Sequence, residues 1–168
     1  SDGSGIPPGA GVGIIDSKLA PPDFTLPGLQ CLRGLLDQPA DSTFKQGLAA
    51  TAASLPSKGL PVVVIHGLDD GLVPPAFTSA PYVAAAQAAG REVSYWQVKH
   101  AQHFDGFLAL PAYGARYVPM LPYLYAALDQ VSAKLDGKGK LPADALIEPT
   151  PRGAGALELK QLAIPAAR

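Results

Sequence analysis

Cysteine, methionine and tryptophan occur once each in 168 residues. A single cysteine rules out a disulfide within the chain and leaves only a bridge from Cys31 to another chain or segment. Charge is scarce as well: 16% of residues are charged and the formal net charge is −1. That balance gives no basic footprint for nucleic acid and no polybasic patch for an anionic membrane, and it points to a small or neutral partner. No apolar run approaches the roughly 18 residues of a spanning helix. The opening stretch "SDGSGIPPGAGVG" has neither a basic region nor a hydrophobic signal core, so the chain as given carries no address. No tight ligand pair such as His-x-x-x-His occurs, so the three histidines with Asp69, Asp70 and Asp105 do not read as a metal site.

What is abundant is glycine and proline, 18 of each. That is nearly twice their usual combined share of about 12%. The excess gathers towards the two ends, in "SDGSGIPPGAGVG" and "GKGKLPADALIEPTPRGAGA". The expected organisation is one domain: an irregular lead-in over 1–28, a core over 29–137 and an irregular tail over 138–168. A chain of this length can bury about two-thirds of its unfolded surface. There is no internal repeat.

Leu29, Leu32, Leu35 and Leu36 recur at helical spacing, and Cys31 among them reads as a small buried apolar residue. A second helix is expected around Ala49, Ala50, Ala52 and Ala53, with Asp41 and Ser42 upstream as caps. "LPVVVIHG" is a β-branched run ending at Gly67, the pattern of a strand buried on both faces of a parallel sheet. Thr78 or Ser79 can cap the next helix, Pro81 suits its first turn, and Gly90 suits its left-handed end. "EVSYWQV" then resumes strand character, giving a βαβ unit with parallel strands. A last helix is expected over Pro119–Gly137, with Leu121, Leu124, Tyr125, Leu128 and Val131 on its apolar face. The fold class is α/β.

In open α/β sheets ligands bind beyond the carboxyl ends of the strands. There the chain places Asp69 and Asp70 after the first strand, and Lys99, His100, Gln102, His103 and Asp105 after the second. An acid and a histidine from adjacent loops can meet. A histidine acting as general base needs a carboxylate on one ring nitrogen while the other takes the proton. His66, just before Gly67, reads as a buried, hydrogen-bonded histidine. Tyr113, Tyr117, Tyr123 and Tyr125 read as core or helix-face residues, with an acyl pocket as the alternative.

"HGLDDGLVPP" resembles the acid loop of α/β-hydrolases, commonly His-Gly-x-x-Asp-x-x-Val-Pro, which selects Asp70 and leaves Asp69 as its neighbour. "QVKHAQHFDGF" resembles the histidine loop of the same proteins, usually Val-Pro-Gly-Ala-x-His-Phe, which selects His103 and leaves Lys99 and His100 as departures. The order acid, histidine, final helix also matches. More narrowly, "GSGIPPGAGVGII", "LQCLRGLL", "IHGLDDGLVPP", "KHAQHFDGFLALP" and "RYVPMLPYLYAALD" together resemble the C-terminal part of the bacterial D-3-hydroxybutyrate oligomer hydrolases.

The resemblance implies an α/β-hydrolase-like sheet, mostly parallel and flanked by helices, of which this chain is the C-terminal portion. It implies a serine esterase that releases 3-hydroxybutyrate from soluble oligomers, with Asp70 and His103 as acid and base. No cofactor or metal is required, and the family points to export, secreted or periplasmic. A nucleophilic serine needs a Gly-x-Ser-x-Gly-type turn, which is absent here. Ser4 in "DGSGIPPG" has prolines after it and no strand before it. The nucleophile is therefore expected in a preceding N-terminal part of the same enzyme. The alternatives are a feruloyl esterase or tannase-like hydrolase, whose paired cysteines near the acid and histidine are missing, and a non-catalytic fragment that works only with a partner chain.

Overall fold

The computed structural model describes residues 25–166. The irregular lead-in expected at the N-terminus, Ser4 included, falls mostly outside the described residues. The chain forms two compact units, Ser1–Ser54 and Leu55–Arg168, where the sequence suggested one core over 29–137.

The first unit contains α1 (Thr25–Leu35) and α2 (Thr43–Thr51). Ser42 caps α2 as expected: its hydroxyl accepts from the Lys45 N–H at 3.2 Å. The helix ends at Ala52, whose backbone is extended, so Ala53 lies beyond it. The leucine spacing does produce α1, but Leu32 and Leu36 are largely exposed and Cys31 is exposed too. The expectation of a buried cysteine is thus corrected.

The second unit is a three-layer α/β arrangement. The strands β1 (Val62–Gly67), β2 (Val93–Val98) and β3 (Ala145–Ile147) are parallel and lie in the order β1-β2-β3. The helix α3 (Ser79–Ala88) joins the first two. A short helix α4 (Pro111–Gly114) and a long one, α5 (Leu121–Leu135), follow β2. Central β2 is buried on both faces. Val93 and Tyr95 pack with Val83 and Ala86 of α3, while Trp96 and Val98 pack with Tyr123 and Ala127 of α5. This is the period-two alternation of a strand between two helical layers. The run "VVVIHG" forms β1 in register with β2, Val62 opposite Val93 through Gly67 opposite Val98. Its first five residues are only half-buried, because among the described residues β1 pairs on one edge alone.

Two further corrections concern the C-terminal half. The segment 138–168, expected to be an irregular tail, supplies β3 and a 3-10 turn at Leu159–Leu162. It is stitched to the sheet by side chains: the Ser94 hydroxyl donates to the Pro142 carbonyl, Trp96 Nε1 to the Ala143 carbonyl at 3.2 Å, and the Tyr95 N–H to Asp144 at 2.8 Å. In α5 the face turned to the sheet is Tyr123, Ala127 and Gln130. The expected stripe is not the buried face: Leu121, Leu124, Tyr125 and Leu128 are all more than 40% exposed. Tyr123 donates to the Leu162 carbonyl at 2.7 Å and Gln130 to the Pro165 carbonyl at 3.2 Å. Ala127 between them is small enough to let the helix approach closely. These three contacts fix the helix rotation against the pull of the more apolar stripe. No helix among the described residues is long and apolar enough to cross a membrane.

Candidate active site

The βαβ topology puts the loops after β1 and β2 side by side, and the backbone ties them. Leu68 N–H donates to the Val98 carbonyl at 2.8 Å and Asp69 N–H to the Ala101 carbonyl at 3.1 Å. Gly67 makes this possible, since a Cβ there would sit 2.4 Å from the Ala101 carbonyl oxygen. Any larger residue would push the loops apart.

Across this seam Asp70 meets His103. Asp70 Oδ2 accepts from His103 Nδ1 at 2.8 Å, with the carboxylate side chain 4% exposed and the imidazole 36%. The other oxygen, Oδ1, accepts from the Leu72 and Val73 N–H groups at 2.9 and 2.8 Å. Burial alone would raise the Asp70 pKa. The hydrogen bonds from Val73, His103 and Leu72, with the positive charge that His103 can carry, outweigh it and hold the carboxyl below its ordinary value. A buried, ionised carboxylate on Nδ1 leaves Nε2 as the nitrogen that can take and return a proton.

The sequence reading placed Asp70 and His103 together, and they are together. The other loop residues separate from the pair. Lys99 turns outward to an ion pair with exposed Glu148. His100 Nδ1 lies 4.0 Å from Asp69 Oδ2, both side chains nearly half exposed. Asp105 accepts from the Met120 N–H with both oxygens, at 2.8 and 2.9 Å, and from the Leu121 N–H at 3.0 Å, so it holds the start of α5. Nothing in a loop aspartate fifteen positions ahead of a helix signals that role.

His66 is the residue that sequence reasoning undervalued. It was expected to be buried and bonded, and its Nε2 lies 2.9 Å from the Val73 carbonyl and 3.3 Å from Asp70 Oδ2. Its Nδ1 lies 2.6 Å from Ser79 Oγ, which in turn lies 2.6 Å from the Tyr95 hydroxyl. Ser79, expected as a helix cap, is instead the first residue of α3 and makes these contacts.

Two cavities meet at His103. One, of about 410 Å³, is mostly apolar, with Ile65, Phe104, Met120, Leu121 and Leu124 on its walls. The other, of about 280 Å³, is bounded by Asp70, Val73, Gln102 and Met120. From His103 a chain of ring contacts runs through Phe104 and Phe107 to Tyr113 and Tyr117. Tyr123, by contrast, is a core residue and Tyr125 a surface one. Among the described residues no three His, Cys, Asp or Glu side chains cluster as a metal site would require.

A parallel α/β sheet with a buried carboxylate–imidazole pair at the carboxyl ends of adjacent strands defines a class: α/β proteins equipped for acid–base chemistry. The family follows from comparison with known proteins. Residues 2–168 match the model of the 3HB-oligomer hydrolase family, and the chain belongs to it. It is 36% identical to the D-(-)-3-hydroxybutyrate oligomer hydrolase of Paracidovorax citrulli over 90% of this chain and 24% of that protein. The protein of the same name from Cupriavidus metallidurans is 37% identical over 91% of this chain and 24% of its own length. The one from Cupriavidus necator is 39% identical over 78% and 19%. The chain thus spans about a quarter of the length of the curated relatives it matches. No solved structure matches it.

Proposed function

We propose that this chain supplies the acid and the base of a carboxylic ester hydrolase that cleaves 3-hydroxybutyrate oligomers to monomers. The supporting observation is the 2.8 Å contact between buried Asp70 and half-exposed His103. The substrate class is drawn from the names of the relatives. In this reading a serine hydroxyl attacks the ester carbonyl, and His103 Nε2 takes its proton and returns it to the departing hydroxybutyrate oxygen. Water then repeats the cycle on the acyl-enzyme. Asp70 keeps the imidazole oriented and stabilises its protonated form. No metal or cofactor takes part.

The serine and its oxyanion hole belong, on this proposal, to an upstream N-terminal part of the same enzyme, and this chain is the C-terminal portion of an α/β-hydrolase-like domain. The half-buried outer edge of β1 is where the remaining strands would pair. The apolar cavity beside His103 suits the methyl-bearing backbone of the acyl group. The enzyme works outside the cytoplasm, secreted or periplasmic, where soluble oligomers arrive from polymer breakdown; cell fractionation checks this.

The decisive measurement is hydrolysis of the 3-hydroxybutyrate dimer and trimer by the intact enzyme carrying this chain. Asp70→Asn and His103→Ala should each lower kcat by at least roughly a thousandfold, the scale on which a triad member acts. Full activity in either variant would exclude the assignment. Hydrolysis by a preparation holding these 168 residues alone would place the nucleophile within them and refute the division of labour.

A further inference from the structure

His66, Ser79 and Tyr95 come from β1, α3 and β2, and none of them has a part in the reaction as described. Their hydrogens can be assigned from the contacts. The Val73 carbonyl can only accept, so His66 Nε2, 2.9 Å away, carries a hydrogen. In a neutral imidazole Nδ1 is then the acceptor, and the Ser79 hydroxyl at 2.6 Å donates to it. With its hydrogen spent there, Ser79 accepts from the Tyr95 hydroxyl at 2.6 Å. The chain of donors runs one way: Tyr95 to Ser79, Ser79 to His66, His66 to the acid loop.

At the far end the His66 Nε2–H is shared between the Val73 carbonyl and Asp70 Oδ2, at 2.9 and 3.3 Å. Val73 is also the residue whose N–H holds Asp70 Oδ1. His66 and Asp70 therefore clasp the same turn from both sides. Both carboxylate oxygens face two donors each, and the direction of Oδ2 towards His103 is fixed by a ring whose own tautomer is fixed.

We propose that His66 is a positioning residue for Asp70, its tautomer set by Ser79 and Tyr95, so that the carboxylate is presented to His103 in a single orientation. The inference rests on the reading of Asp70 and His103 as acid and base. The other titratable groups around the pair are Asp69, His100, Asp105 and Tyr113. Ser79 meets His66 through Nδ1, whereas the Val73 carbonyl and Asp70 are met through Nε2, and the Ser79 hydroxyl is bonded on both sides, to His66 and to Tyr95, so in this proposal it serves to set the tautomer.

The test is trimer hydrolysis across pH by the intact enzyme, with His66→Leu, His66→Gln and Ser79→Ala set beside Asp70→Asn and His103→Ala. His66→Leu fills the space without a donor. It should lower kcat roughly ten- to a hundredfold, the scale of a small misplacement near the reacting groups. KM should stay within about threefold, since His66 lines the smaller cavity and not the apolar one assigned to the acyl group. The acidic limb of the kcat profile should move upward, because Asp70 loses a donor and its charge falls more fully on protonated His103. His66→Gln, whose amide N–H reaches the same oxygens, should recover most of both effects. Ser79→Ala, which unlocks the tautomer, should give a smaller change in the same direction.

A wild-type kcat and limb in His66→Leu, or a glutamine variant no better than the leucine one, overturns the proposal. So does a thousandfold or greater loss in Ser79→Ala, which would mark a nucleophile. If His66→Leu fails to fold, a wild-type profile in Ser79→Ala overturns it alone. Retained activity in Asp70→Asn and His103→Ala would instead sink the catalytic reading beneath it.

Discussion

His100 holds a backbone φ of 53°, in the left-handed region that side chains avoid. Glycine adopts this conformation without strain, so a histidine here has a local energetic consequence. The left-handed conformation costs a non-glycine residue about 1–2 kcal/mol, and the freedom that glycine adds to the unfolded chain gives back about 0.4–1 kcal/mol. His100→Gly should therefore stabilise the chain by up to about 1 kcal/mol, read as a higher urea midpoint with an unchanged slope. The exposed approach to Asp69 at 4.0 Å offers little to lose. Lower stability in the variant would show that the imidazole makes a contact that outweighs its strain. That Asp70 and not Asp69 contacts His103 agrees with the register that the acid-loop resemblance implied from Val73 and Pro74. The partnership of His66 with Ser79 was not legible in the sequence, since it spans thirteen residues and exists only once α3 packs on β1.

At the scale of elements, the loop after β2 is tied to the start of α5 because Asp105 accepts from the Met120 and Leu121 N–H groups. These are among the first donors of the helix, which have no partner inside it. Met120 itself supplies no capping side chain. Asp105→Ala should cost about 1–2 kcal/mol, the range for losing a strong cap, seen as a lower thermal midpoint. Asp105→Asn, which keeps an acceptor, should cost less than half as much; equal losses would point to charge instead of capping. The strands β1 and β2 were legible from β-branched runs, and α3 from its alanines and Gly90, whose φ of 67° closes it. The three-residue β3 was not, because "ALI" among prolines carries no period of its own and becomes a strand only by pairing Trp96 with Ala145 and Val98 with Ile147. The rotation of α5 was misjudged for a related reason. Hydrophobicity selects the leucines, whereas hydrogen bonds from Tyr123 and Gln130 to the C-terminal segment choose the buried face.

At the scale of the whole molecule, few ionisable groups among the described residues are buried, so the stability profile should bear the mark of a small number of them. Asp70 has a folded pKa below its ordinary 3.8. The folded state then binds fewer protons than the unfolded one in the acid range. Its contribution is complete above the unfolded value and is lost as pH falls through the folded one. Tyr123 works from the other side. Its buried hydroxyl donates to the Leu162 carbonyl, and burial pushes its pKa well above the ordinary 10.0. The folded state keeps that proton where the unfolded chain releases it, so stability declines as pH rises past the ordinary value. The chain should show a plateau of thermal midpoint between these limits and a fall at each end. Asp70→Asn should flatten the acid fall, Tyr123→Phe should flatten the alkaline one, and each should leave the opposite limb in place. An acid limb unchanged by Asp70→Asn would mean that the carboxylate bonded to His103 is not what couples protons to folding, and the source would have to be sought among the exposed ion pairs such as Lys99 with Glu148.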